Sequence, residues 1–194
     1  MNVATGRAAA SLSGILKQHV KLHVLEIRAI GYPDVSRFLE SEIGELGSVV
    51  EQGFFGGLIG NSLMVMTNRN ADALVKTLLQ QNSELAGLTS TEQTVLAEVG
   101  NIVLNACVSM FANQTGRRLH FGLPRVSLNI EGLRLAEELT RDWKEKIQGL
   151  VMKSRLMVGQ TEATIFVLIL MTVDVITIQA LIDEALRGQQ GRAS

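Results

Sequence analysis

Cysteine is nearly absent from this sequence. Cys107 is the single one, so no disulfide can close within the chain, and a reducing compartment fits it best. Long apolar runs are missing too. The longest, residues 165–171 (IFVLILM), is seven residues long, too short to span a membrane as a helix. The start, MNVATGRAAASLSG, carries Arg7 but no apolar stretch behind it, and so reads poorly as a secretory signal. A cytoplasmic location is expected. Neither sign of charge is in excess, with 18 basic and 19 acidic side chains. A general nucleic-acid binder would need a basic surplus to neutralise phosphates; a local charged patch stays open. The glycine-rich segment at 53–60 (GFFGGLIG) is not followed by Gly-Lys-Ser/Thr, so it is no phosphate-binding P-loop. It reads as a hairpin turn, or as an exposed Phe54-Phe55 patch that meets a partner.

What is present is apolar material in quantity. Hydrophobic residues make up 46% of 194, enough for one domain of ordinary size or two small repeats sharing a core. The pattern favours the second arrangement. Residues 3–17 read as a helix, His19 to Ile30 as a strand, and a short amphipathic piece follows at 35–46. Residues 48–55 and 62–66 then form a hairpin, and Asn70 is placed to cap a helix over 71–81. The order recurs. A helix over 91–113 leads to a strand over 118–130. An amphipathic segment follows with Leu135, Leu139 and Trp143 at four-residue spacing. A hairpin of 150–158 and 163–171 turns at Gly159-Gln160, and Asp174 caps a helix over 175–185. Residues match as well: Asn2-Val3 with Asn101-Ile102, and Val20, Leu22 and Val24 with Leu119, Phe121 and Leu123, all 99 positions apart. The expected fold is α+β: a tandem pseudo-twofold repeat of helix–strand–hairpin–helix around a shared six-stranded, mostly antiparallel sheet. The repeats cover about 1–85 and 90–187 of a single domain, and 188–194 form a polar, disordered tail.

The helix over 91–113 (TEQTVLAEVGNIVLNACVSMFAN) carries the most information. Ser90 with Gln93 approximates a capping box. At 3.6 residues per turn, Val95, Val99, Ile102, Val103, Ala106 and Met110 share one side, the expected core face. Thr94, Glu98, Asn101, Asn105 and Ser109 form a polar stripe roughly 110° away, with Ala97, Leu104 and Val108 along its far side. Only Glu92 and Glu98 are charged among these 23 residues. A plain solvated face would carry several lysines and glutamates in i,i+4 pairs. The stripe therefore reads either as a partner-binding surface or as a face packed on another helix of the same domain. Residues three apart on a helix are neighbours. Glu98 can pair with a partner's ammonium, and Asn101 beside it offers a donor and an acceptor. Neither attacks an electrophile alone, but together they can hold a water in line with one, which is the positioning logic of phosphoryl transfer.

The spacing Thr94-x3-Glu98-x2-Asn101-x22-Pro124, with the local string Glu98-Val99-Gly100-Asn101-Ile102, resembles the signature of the CheC/CheX/FliY phosphatases of bacterial chemotaxis. There the first position is usually Asp or Ser, and the tandem helix–strand–hairpin–helix order is also the family's. The resemblance implies hydrolysis of the aspartyl-phosphate of a CheY-like response regulator. Glu98 would pair with a receiver lysine and Asn101 would orient the attacking water. Thr94 and Asn105 would assist binding. The Mg2+ would sit on the receiver, so the chain would need neither a cofactor nor a metal site of its own. A CheD-like deamidase is a further implied partner, and with no FliN-like segment following, the chain is most similar to CheC. The first repeat departs from the signature. Asn2 falls at its asparagine, the glutamate would precede Met1, and Leu25 stands where the first proline would be. One working site, in the second half, is expected. The competing reading is a non-catalytic adaptor that docks on a phospho-receiver or a CheD-like partner.

The remaining candidates are structural. His19 and His23 lie about 13 Å apart along a strand at 3.3 Å per residue, too far to share a metal. They are expected to face solvent, and His120 has no obvious partner. Cys107 reads as inert core, Trp143 as packing a linker helix onto the sheet, and Pro124 as setting the start of the following strand.

Overall fold

The computed structural model describes residues 9–10, 13–14, 19–43, 47–80, 88–114, 118–141 and 148–171. Along them run β1 (Val20–Gly31), α1 (Tyr32–Ile43), β2 (Gly47–Gly56), β3 (Gly60–Thr67), α2 (Asn68–Leu79) and α3 (Ser90–Gln114). There follow β4 (Leu119–Phe121), β5 (Arg125–Ile130), α4 (Gly132–Arg141), β6 (Gln148–Val158) and β7 (Thr161–Met171). Most of the helix expected over 3–17, Trp143, the helix over 175–185 and the tail lie outside the described residues.

The α+β class and the antiparallel sheet are as the sequence leads one to expect, but the sheet has seven strands, not six. Its order is β1-β6-β7-β3-β2-β4, with β5 also paired to β2, and every pairing is antiparallel. The extra strand arises because the segment expected as one strand over 118–130 is broken after Phe121. Proline has no N–H for a ladder, and β5 begins only at Arg125, directly after Pro124. The order reads symmetrically about the β7–β3 contact, and it crosses the two halves. The outer strand of the first half, β1, pairs with the hairpin of the second; β4 and β5 pair with the hairpin of the first. Val20 and Leu119 open the outer strands, and Gly47 and Gln148 open the hairpins. The break at Pro124 has a counterpart 99 positions earlier in the sequence. In β1 the register shifts between Val24 and Glu26, leaving Leu25 as an exposed bulge.

Both faces of the sheet are covered, which explains the composition of β7. Ile165, Val167, Ile169 and Met171 point to one core with Leu74 and Val75 of α2 and Leu96 and Val103 of α3. Phe166, Leu168 and Leu170 alternate to a second core with Phe38 and Leu39 of α1 and Leu135 and Ala136 of α4. A strand buried on both faces loses the apolar–polar alternation of a half-exposed one. Each such side chain, fully buried, stabilises by about 1.5–3 kcal/mol. Gly159, at φ 57°, turns the β6–β7 hairpin in a conformation glycine adopts without strain.

Two helix starts differ from expectation by a short step. The N-cap of α2 is Thr67, whose hydroxyl accepts the Asn70 N–H, so Asn70 is capped rather than capping. The capping box of α3 is Thr89 with Glu92, not Ser90 with Gln93. The Thr89 N–H and hydroxyl both donate to Glu92 Oε2 at 2.7 Å, and the Glu92 N–H returns to Thr89 Oγ1 at 3.3 Å. The Thr89 backbone bond foremost, then its hydroxyl, hold the Glu92 carboxyl below its ordinary range, with the nearby Lys76 ammonium adding to them against desolvation. A carboxyl depressed on folding contributes stability above its unfolded pKa and loses it as pH falls through the folded one. Thr89→Ala is expected to cost about 1 kcal/mol at neutral pH. The gap from wild type should narrow as the pH drops below the ordinary carboxylate range, because the hydroxyl bond to the carboxylate is lost there in wild type too, while the cap bond to the Glu92 N–H does not titrate. Urea midpoints across that window read it.

Candidate functional site

The stripe of α3 lies opposite the buried side of the helix. Leu96, Val99, Val103, Leu104, Cys107 and Val108 are all buried, so the core face is turned toward Leu104 and Val108 relative to the sequence expectation, and of the three residues along the far side of the stripe only Ala97 is not fully buried. Thr94 and Glu98 are exposed, and Asn101, Asn105 and Ser109 are half-buried. Glu98 has no ion pair among the described residues, and α3 carries no lysine or arginine to offer one. Thr94 spends its hydroxyl proton on the Ser90 carbonyl at 3.0 Å.

Asn101 is the organised member of the stripe. Its Oδ1 accepts from Gln52 Nε2 of β2 at 2.9 Å and from Asn105 Nδ2 at 3.0 Å. Asn105 therefore serves Asn101 rather than solvent. The amide orientations follow from chemistry. Gln52 Nε2 also lies 2.9 Å from the Gly122 carbonyl, which can only accept, so the amine end of Gln52 faces this corner and Asn101 must answer with oxygen. Asn101 Nδ2 makes no bond among the described residues and is left to donate elsewhere. Glycine lets the helix come this close. A Cβ on Gly100 would stand 2.5–2.9 Å from three side-chain carbons of Val50 on β2.

The loop that breaks the β4–β5 strand abuts this corner. The Gly122 N–H donates to the Gly53 carbonyl at 2.9 Å, and the next residue, Leu123, is 90% exposed. Phe55 and Ile59 are exposed as well, and Phe55 stacks on His120 with centroids 5.5 Å apart, so His120 does have a partner. Phe54 is core, 2% exposed, so an apolar patch holds Phe55 without it. His23 is exposed in β1, and His19 is exposed just before it. Cys107 is buried, and desolvation pushes its thiol up to about 12, which makes it an inert thiol. Asn2 lies outside the described residues. No described helix is long and apolar enough to cross a membrane.

Gln52 was not singled out from sequence. Its signal was local: Val50 and Phe54 flank it at two-residue spacing, and both are buried, which places the amide between them on an inward face.

No protein-family model matches this sequence, and no curated protein is significantly similar to it. Solved structures are similar. FliY from Thermotoga maritima matches with a TM-score of 0.71 at 16% identity, over 96% of this chain and 92% of that one. FliM in a FliG–FliM complex from H. pylori matches with a TM-score of 0.56 at 11% identity, over 87% and 86%. CheX in the CheX–CheY–BeF3–Mg2+ complex from Borrelia burgdorferi matches with a TM-score of 0.53 at 18% identity, over 88% and 96%. The fold is the one shared by FliY, the FliM middle domain and CheX.

Proposed function

We propose that this protein is a phosphatase for the aspartyl-phosphate of a CheY-like receiver domain, with one site on α3. The observation that supports it most is the anchored Asn101. Its oxygen is held by two donors, Gln52 on β2 and Asn105 on α3, and its Nδ2 is left over, three residues from an exposed carboxylate with no partner among the described residues. Glu98 pairs with a lysine ammonium of the receiver. Asn101 Nδ2 donates to one lone pair of a water and leaves the other aimed at phosphorus. The water oxygen bonds to phosphorus in line with the aspartyl oxygen. The bond to that oxygen breaks, the carboxylate leaves, and the water's proton passes to phosphate or solvent. The metal ion belongs to the receiver. The exposed Leu123, next to the Gly122 carbonyl that Gln52 holds, gives this corner an apolar neighbour for docking, and the CheX–CheY pairing in a protein of the same fold supports a receiver as the occupant.

The second reading is a binding module without chemistry, favoured by the FliM fold and its pairing with FliG in a protein of that fold. Decay of a phosphorylated CheY-like receiver separates the two. The phosphatase shortens the lifetime in proportion to its concentration, and Glu98→Ala raises the half-saturating receiver concentration several-fold with turnover nearly kept, because a docking contact is lost. A receiver that binds and decays at its own rate establishes the adaptor instead.

A further inference from the structure

We infer that Gln52 is a positioning residue that fixes the reacting face of Asn101, an inference that rests on the phosphatase reading and names a second residue for the same site. Gln52 is 1% exposed, in β2 between Val50 and Phe54. Burying a carboxamide among apolar side chains is unfavourable unless its groups are bonded, and here its Oε1 is buried with no partner among the described residues. A leucine or methionine would fill the space without that cost. What the amide supplies is two N–H groups from one nitrogen, both used: one on Asn101 Oδ1, one on the Gly122 carbonyl, each at 2.9 Å.

Two consequences follow. Asn101 cannot rotate its amide by half a turn, since Nδ2 would then meet Gln52 Nε2, donor against donor. The nitrogen of Asn101 is thereby kept for the water. In addition, one side chain joins Asn101 to the loop that carries Leu123, so the docking surface and the water-aiming group keep a fixed spacing. Asn105, the other donor to Oδ1, leaves its own Oδ1 buried without a partner among the described residues. Two carboxamides thus leave an oxygen unpaired while both place a nitrogen on Asn101.

The test is receiver dephosphorylation by Gln52→Met and Gln52→Glu, each alone and combined with Asn101→Ala, together with the side-chain 15N–1H signals of Asn101. Methionine nearly keeps the volume and removes both donors. Ionised glutamate accepts only, and draws Nδ2 inward. Both variants are expected to lower turnover about 10-fold or more, the scale of a misplaced reacting group, with the half-saturating receiver concentration unchanged. In the Asn101→Ala background neither should lower turnover further, because Gln52 acts through Asn101. The Asn101 carboxamide signals should move in both variants. Turnover within about twofold of wild type, or an equal loss in the Asn101→Ala background, overturns the inference. If Asn101→Ala itself decays the receiver like wild type, the phosphatase reading has failed. The carboxamide signals then decide the Gln52 inference alone: unmoved signals overturn it, and shifted ones sustain the clamp on Asn101.

Discussion

Asn101→Asp is expected to lower dephosphorylation about 100-fold or more with little loss of stability, whereas Asn101→Ala loses both. The difference follows from what each leaves for Gln52. Alanine removes the acceptor of a buried Nε2 hydrogen, and an orphaned buried donor costs about 1–3 kcal/mol. In a chain of this size that lowers the melting temperature by roughly 2–4 °C per kcal/mol. Aspartate keeps an acceptor for Gln52 and Asn105 and strengthens those bonds with its charge. It lacks the Nδ2 donor, and it places a negative charge beside the phosphoryl group. Stopped decay in both variants, with stability lost in only one, isolates the donor as the catalytic element. An aspartate variant that turns over like wild type would remove Asn101 Nδ2 from the mechanism. The half-saturating receiver concentration should stay near the wild-type value in the alanine variant, since docking rests on Glu98 and the exposed Leu123.

Gly100→Ala is the other large effect, and its sign has to be decided by magnitudes. Alanine is better than glycine in a helix interior by about 0.8–1.0 kcal/mol. Against this, the new methyl would meet three carbons of Val50 within 2.9 Å. One of the three is the Val50 Cβ, which no rotamer change moves, and Val50 is itself 1% exposed with nowhere to retreat. Relief requires α3 to lift from β2, and overpacking of this kind costs about 1–3 kcal/mol. The clash wins, by up to about 2 kcal/mol net. The same lift stretches the Gln52–Asn101 bond, since both pairs bridge α3 and β2 within one turn. Loss of turnover should therefore exceed what the fraction unfolded explains. Denaturant midpoints and receiver decay on one sample give both numbers, and a stabilised, fully active variant would contradict the close approach.

The strands and the long helix were legible because their signals are local. The apolar run at 165–171 and the Gly159-Gln160 turn define a hairpin without help from the rest of the chain, and so does the periodicity of α3. The helix caps were legible to within a few residues only. Thr89, Ser90 and Thr91 are three hydroxyls in a row, and glutamate three after the first competed with glutamine three after the second; the carboxylate is the stronger acceptor and won. The break at Pro124 was legible in part: the proline marks it, and the apolar alternation changes phase there, from Leu119, Phe121 and Leu123 to Val126, Leu128 and Ile130. Gln52 escaped notice because a polar residue in a strand reads as solvent-facing, an inference that fails when helices cover both faces of the sheet. Least legible was which strand meets which. Val20 pairs with Val158 and Phe55 with His120, and no window of sequence contains both partners.

That exchange of outer strands sets a timetable for folding. As synthesis proceeds from the N-terminus, β1 emerges with no neighbour to its side until β6 has been made, more than a hundred residues later. During that interval Val20, Leu22 and Ile30 and a row of open peptide groups face whatever else is present. Contacts of such sequence separation are slow to close, and an unmatched strand edge in a partly made chain is prone to join another molecule. The charges along β1, Lys21, Glu26 and Arg28, discourage that joining during the wait.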